Sequence, residues 1–221
     1  MKARFLTFLT LIAATTVFFP AMAMGQRAGA KVDQQVLRAE ELLSQKGYWI
    51  LKVDGVTDAS TRHAVIAFQK VEGLKRNGVI SSSLISALEG ALRPAVRYSG
   101  GQHVEIDLSR QVLFLVDEGG TVTHVLPVSS GTDKPYYEQG KRQIAHTPRG
   151  SFKIYRQIKG VRHAPLGTLY YPNYISGGVA IHGSGSVPAF PASHGCIRIP
   201  RFADKAFSSM VHVGMPVYVY D

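Results

Sequence analysis

A single cysteine, Cys196, stands in a chain of 221 residues. No intrachain disulfide framework is open to it, so a core has to hold the fold. The lone Cys is an inert core filler, an intermolecular partner or a nucleophile. Charged residues are sparse at 18% while hydrophobic residues reach 45%, which excludes wholesale disorder. Glycine, at 22, and proline, at 11, are too few for collagen-like or low-complexity character. Acidic residues number 15 against 25 Lys and Arg, a formal charge of +10. Such a chain favours anionic partners. Aromatics, at 10%, do not single out nucleic acid, which is not expected as a partner.

A membrane-spanning run is also missing. The apolar stretch Phe5 to Phe19 is short of the about 20 residues that a spanning helix needs. Lys2 and Arg4 precede it, Pro20 breaks it, and Ala21-Met22-Ala23 is a small-x-small cleavage signal. This is the layout of a secretory signal peptide over residues 1–23, with an uncleaved anchor as the alternative. No Cys adjoins the run, which excludes a lipoprotein anchor. Cleavage after Ala23 takes the two charges of Lys2 and Arg4 from +10 and leaves +8. The expectation is a basic protein of the cell envelope, in periplasm or cell wall. An unpaired Cys in an oxidising compartment is a liability, which strengthens a chemical role for Cys196.

The mature chain divides in two. Residues 32–92 read as three helices. Val36, Leu37, Leu42 and Leu43 mark the first, ending at Gly47. Val65, Ile66 and Phe68 mark the second, capped by Asp58 or Ser60. Leu84, Ile85 and Leu88 mark the third, capped by Ser81-Ser82-Ser83 and ended at Gly90. Val53-Asp54-Gly55-Val56 and Asn77-Gly78-Val79-Ile80 are similar turns, each before a helix, and suggest an imperfect internal repeat. Residues 93–101 read as a linker. From 102 the period becomes two: Val104, Ile106 and Leu108, then Val112 to Val116 and Val122 to Val128. Strands are expected at Ser151 to Ile158, Val179 to His182 and Pro216 to Tyr220. A helix is expected at Phe202 to Val211, with Ala206 and Met210 on its apolar side. The fold class is α+β: a small helical module, then a mainly β domain over 102–221 with one short helix.

The chemistry is concentrated in one window. Ile181-His182-Gly183-Ser184 is followed by a loop, then Ser193-His194-Gly195-Cys196-Ile197-Arg198. The thiolate is the reactive form of Cys, and a neighbouring His is how it forms near neutral pH. Gly195 permits a sharp turn and close approach of substrate to backbone N–H groups. Arg198 suits a substrate carboxylate. His63, His103, His124, His146, His163 and His212 show no partner in sequence and read as surface groups, with His146 and His163 nearest the window.

Two resemblances follow from these residues. Gly47-Tyr48, the Asp54-Gly55 turn, Ala64 to Gln69, Gly73-Leu74 and Gly78-Val79-Ile80 resemble a peptidoglycan-binding module of three helices. The His-Gly pair, the loop and Ser-His-Gly-Cys with Arg198 resemble the L,D-transpeptidase catalytic domain, also called YkuD-like. Thr147-Pro148-Arg149-Gly150 and Tyr170-Tyr171-Pro172 fit its upstream turn and its approach to the first His. The resemblance implies a β-sandwich-like mixed fold. It implies Cys196 as nucleophile and His182 as base, oriented by the Gly183 carbonyl. His194 would shape the pocket, with Ser193, Arg198 and Tyr171 toward substrate. The N–H groups of His194, Gly195 and Cys196 would be oxyanion donors. The implied reaction is acyl transfer between peptidoglycan stem peptides, forming 3→3 cross-links, with L,D-carboxypeptidase trimming when water is the acceptor. Carbapenem-type β-lactams are implied as covalent inhibitors, and no cofactor is expected.

Three rivals are weaker. Papain-type peptidases place the catalytic His after the Cys, where only His212 stands. A metal site of His182, His194 and Cys196 has no acidic residue or second Cys nearby, and Arg198 would repel a cation. A non-enzymatic wall-binding protein has no need for a nucleophile with both His intact.

Overall fold

The structure, a computed structural model, describes residues 32–221; the signal-peptide reading lies outside them. Three helices come first: α1 (Gln34–Gln45), α2 (Ala59–Val71) and α3 (Ser82–Gly90). Each starts on a side-chain cap. Asp33 accepts from Gln35 and Val36 N–H, Asp58 forms a reciprocal capping box with Thr61, and Ser81 accepts from Leu84 N–H. The two similar turns behave as a repeat. Gly55 and Gly78 take φ of 71° and 68°. Asp54 accepts Val56 N–H and Asn77 accepts Val79 N–H, as Asx turns do. A buried side chain closes each turn, Glu40 on Gly55 N–H and Gln69 on Gly78 N–H.

The β region begins with β1 (His103–Asp107), β2 (Val112–Val116) and β3 (Val122–Pro127). A hairpin of β4 (Pro135–Glu138) and β5 (Lys141–Ile144) follows, then β6 (Gly150–Lys153), β7 (Arg156–Gln157), β8 (Val161–Ala164), β9 (Gly167–Ser176) and β10 (Val179–Ser184). The chain ends with β11 (Ile197–Pro200), α4 (Asp204–Met210) and β12 (Pro216–Tyr220). One sheet has the order β3-β2-β1-β12-β6, with β1 and β12 parallel. The other runs β11-β10-β9-β7, with β8 on β9 and β10 parallel to β11. Leu113, Leu115, Val104 and Ile106 of the first sheet meet Ile175, Ile181, Ile197 and Ile199 of the second in one core. The architecture is therefore α+β, a helical module followed by a mainly β, sandwich-like domain with one short helix. In α4, Ala203 and Phe207 are buried, whereas Ala206 and Met210 are exposed: its apolar side is narrower than the sequence suggests.

The helical and β regions share a second core. Strand β2 is buried on both faces. Val112, Phe114 and Val116 pack with Leu43, Val65 and Phe68 of the helices, along with Val122 and Val125. Backbone bonds tie Trp49 N–H to Val125 O and Val125 N–H to Gly47 O. The described residues accordingly form one compact unit. His63, read from sequence as surface, is corrected by this packing: its ring lies 5.8 Å from that of Phe202. His103 is likewise buried, 3.1 Å from Glu105, because the chain before β1 folds over that face.

Candidate active site

Strands β10 and β11 place His182 level with Arg198 and Ile181 level with Ile197. Alternation sends the isoleucines into the main core and His182 and Arg198 to the opposite face. Cys196 stands two residues before Arg198 and so on that same face. It packs there beside Leu169, Tyr174 and Ala180.

The sharp bend before Cys196 has identifiable causes. Gly195 takes φ 137°, and a Cβ there would press on His146 O. Ser193 Oγ accepts Gly195 N–H at 3.0 Å and donates to Cys196 O at 2.6 Å. Thr147 Oγ1 donates to Gly195 O at 2.7 Å and accepts Gly131 N–H at 2.8 Å. The upstream Thr-Pro turn thus braces the loop that carries Cys196. These bonds remove one expected oxyanion donor: Gly195 N–H already belongs to Ser193, so His194 and Cys196 N–H remain as candidates.

His182 is buried, and its Nδ1 lies 2.9 Å from Gly183 O. A carbonyl only accepts, so Nδ1 carries the proton and Nε2 is left with its lone pair. Gly183 is itself required, since a Cβ there would overlap the Asp204 carboxylate at the start of α4. Burial holds the His182 pKa down to about 4; the Gly183 bond opposes this and the Arg198 charge adds to it. Burial pushes the Cys196 thiol up, offset in part by a backbone bond from Ala180 and by Arg198. Both shifts favour the neutral forms, a thiol at Cys196 and an uncharged imidazole at His182. The Cys196 sulfur lies 3.7 Å from Gly178 O.

Cys196 opens on a cleft of about 440 Å³. The β4–β5 hairpin supplies one wall with Tyr136, Glu138 and Ile144; the β8–β9 hairpin supplies the other with Arg162, Ala164, Pro165 and Leu166. Ser193, His194, Gly195 and Arg198 line it too. His194 is exposed, its ring 4.7 Å from Tyr136. Tyr171 is not in this cleft. It takes φ 49° and lines a separate hollow with Lys159 and Lys205, a correction to its placement beside substrate. His146 does line the cleft, its Nδ1 2.7 Å from Asp133. Sequence pattern missed Tyr136, Glu138 and Arg162, which no motif marks. Among the described residues no group of three His, Cys, Asp or Glu is placed to hold a metal ion.

Cys196 thus opens on the cleft, and the buried His182 lies on the same face of the adjacent strand. Comparison with known proteins gives the family. Residues 101–219 match the L,D-transpeptidase catalytic domain, and residues 32–88 match a putative peptidoglycan-binding domain. The crystal structure of an L,D-transpeptidase from Xylanimonas cellulosilytica is 40% identical, covering 86% of this chain and 94% of that one with a TM-score of 0.81. An L,D-transpeptidase from Stackebrandtia nassauensis is 20% identical over 86% of this chain and 92% of that one, TM-score 0.50, a likeness of fold alone. No curated protein matches. The chain belongs to the L,D-transpeptidase family, with a peptidoglycan-binding-type module ahead of its catalytic domain.

Proposed function

We propose that the protein forms 3→3 cross-links in peptidoglycan through a thioester on Cys196. The observation that carries this reading is the His182 tautomer: Nδ1–H is committed to Gly183 O, and Nε2 is free on the face that holds Cys196. A buried neutral imidazole is a base, not a counter-ion. As the sulfur attacks the carbonyl of the third stem residue, Nε2 takes the thiol proton. The bond to the terminal D-Ala breaks, and that proton leaves on the departing amine. The side-chain amine of a second stem then attacks the thioester, Nε2 takes the proton that the amine sheds, and sulfur departs and recovers that proton as the new amide forms. His194 and Cys196 N–H are the oxyanion donors in this scheme. Arg198 and Arg162 suit stem carboxylates, and Glu138 suits an amine.

The family places the activity on peptidoglycan. Export by the N-terminal segment and wall binding by residues 32–92 complete the proposal, with the module raising the local concentration of stems. Incubation with purified muropeptides and mass analysis tests it. Wild type is expected to yield 3→3 dimers, and Cys196→Ala none. Trimmed monomers alone would make it an L,D-carboxypeptidase. A carbapenem is expected to add stoichiometrically to Cys196, since a strained amide acylates a positioned thiol. An adduct mapping elsewhere sinks the assignment of the nucleophile.

A further inference from the structure

Lys70, on α2, is 1% exposed and has no carboxylate partner among the described residues. Its Nζ donates to Gln111 O at 3.0 Å and Val128 O at 2.9 Å. Those carbonyls flank the open end of the β2–β3 hairpin. Burial pulls the Lys70 pKa down to about 7, so the position is costly to a cation. Where packing alone is at stake, an apolar side chain of similar volume serves as well or better. The cost points to what the ammonium holds.

The bonds lead from there to the nucleophile. Gln111 takes φ 60° and its side chain grips Ser130, accepting its N–H at 2.9 Å and donating to its Oγ at 2.7 Å. Ser130 O accepts the N–H of Ser193 at 2.9 Å. Ser193 Oγ holds both Gly195 N–H and Cys196 O. A second contact from the same module reaches the loop ahead of Cys196: Arg76 Nη1 donates to Ala189 O at 3.2 Å.

We propose that Lys70 is a positioning residue for the Cys196 loop, acting through Gln111, Ser130 and Ser193, so that the helical module is a working part of the active site as well as a wall-binding unit. The proposal rests on the cysteine acyl-transfer reading.

The test uses the full chain, with kcat and KM for a stem-peptide donor measured well below the melting temperature. Lys70→Met is compared with Leu88→Ala, which empties a fully buried site on α3 of the same module. Both variants are expected to melt earlier. Lys70→Met should lower kcat about tenfold with KM changed less than about threefold, whereas Leu88→Ala should keep the wild-type kcat. Should Lys70→Met fail to fold, Gln111→Asn shortens the side chain that holds Ser130, tolerates the same backbone, and is expected to lower kcat about fivefold. A wild-type kcat in Lys70→Met, an equal loss in Leu88→Ala, or an unaffected Gln111→Asn would overturn the positioning role. A wild type that is not acylated at Cys196 defeats the acyl-transfer reading instead.

Discussion

Glu40 and Glu105 are completely buried, and the protein uses every oxygen they have. Glu40 accepts from Thr61 Oγ1 at 2.7 Å and from Asp54 and Gly55 N–H at 2.9 Å. Glu105 accepts from Arg97 and Tyr98 N–H and from Tyr220 OH, and meets His103. His182 is almost as buried, yet the bond from its Nδ1 to Gly183 is the one it makes among the described residues. Structural polar groups in a core are saturated because an unmet donor or acceptor is costly there. In the proposed mechanism the lone pair that His182 leaves unbonded is a group kept in reserve for the reaction. The same burial therefore serves opposite ends in the two regions.

The widest separation between them is expected from His182→Gln. The amide keeps much of the volume but has no basic nitrogen. Acylation of Cys196 should fall roughly 10³-fold, with unfolding free energy within about 1 kcal/mol of wild type. Rate of carbapenem adduct formation and urea denaturation check the two halves. A variant that reacts normally would remove His182 from the chemistry.

Glu105→Gln should do the reverse. An amide in place of the carboxylate turns an NH₂ toward donors that need an acceptor. A loss of about 3 kcal/mol is expected, with kcat unchanged below the melting temperature. A large fall in kcat without destabilisation would erase the distinction between the two regions.

Sequence shows the caps of the second and third helices plainly, because Asp58 and Ser81 act within a few residues of themselves; the Asp33 cap of the first emerges only with the structure. It also shows the window from His182 to Arg198, because β10 and β11 follow one another in the chain and pair directly. What it hides depends on distant partners. Nothing around Lys70 in sequence marks Val128, far along the chain, as its partner. The β2 residues Val112, Phe114 and Val116 show apolar character, but not that helices cover them. The cleft walls come from two hairpins, whose Tyr136, Glu138 and Arg162 carry no local pattern. Tyr171 sits beside motif residues in sequence, yet its left-handed backbone turns it into another hollow.

Acid should act on the reserved group next. His182 has a folded pKa of about 4 against an ordinary 6.5, so the unfolded chain binds more protons between those values. Its contribution to stability is complete above about 6.5 and is lost as pH falls toward 4. From pH 7 to pH 5 that amounts to about 2 kcal/mol. Denaturation curves at both pH values should show the loss in wild type and a smaller one in His182→Gln. The reaction should follow the folded value: carbapenem acylation stays on its base-dependent plateau down to about pH 5 and falls near 4. A fall centred near 6.5 would mean that the ring is not desolvated in solution.

Ser193 belongs to both regions, and its effect is expected to be the smallest. It is 2% exposed and saturated like the buried glutamates, but what it saturates is the loop of Cys196. Ser193→Ala leaves Gly195 N–H and Cys196 O without their partner. Both can regain bonds to water, because the cleft is open beside them. The stability cost should therefore stay near 1 kcal/mol. The catalytic cost should be about tenfold in kcat, because a freed Gly195 lets the Cys196 N–H drift from the place where charge develops on the substrate oxygen. KM should move little, since Ser193 makes no bond that depends on the substrate's charge. The informative quantity is the ratio of the losses. An effect on the melting temperature with kcat intact would class Ser193 with Glu40 and Glu105. A fall in kcat beyond what stability explains would show that saturation in this loop serves the reaction, and that the boundary between the two regions runs through Ser193.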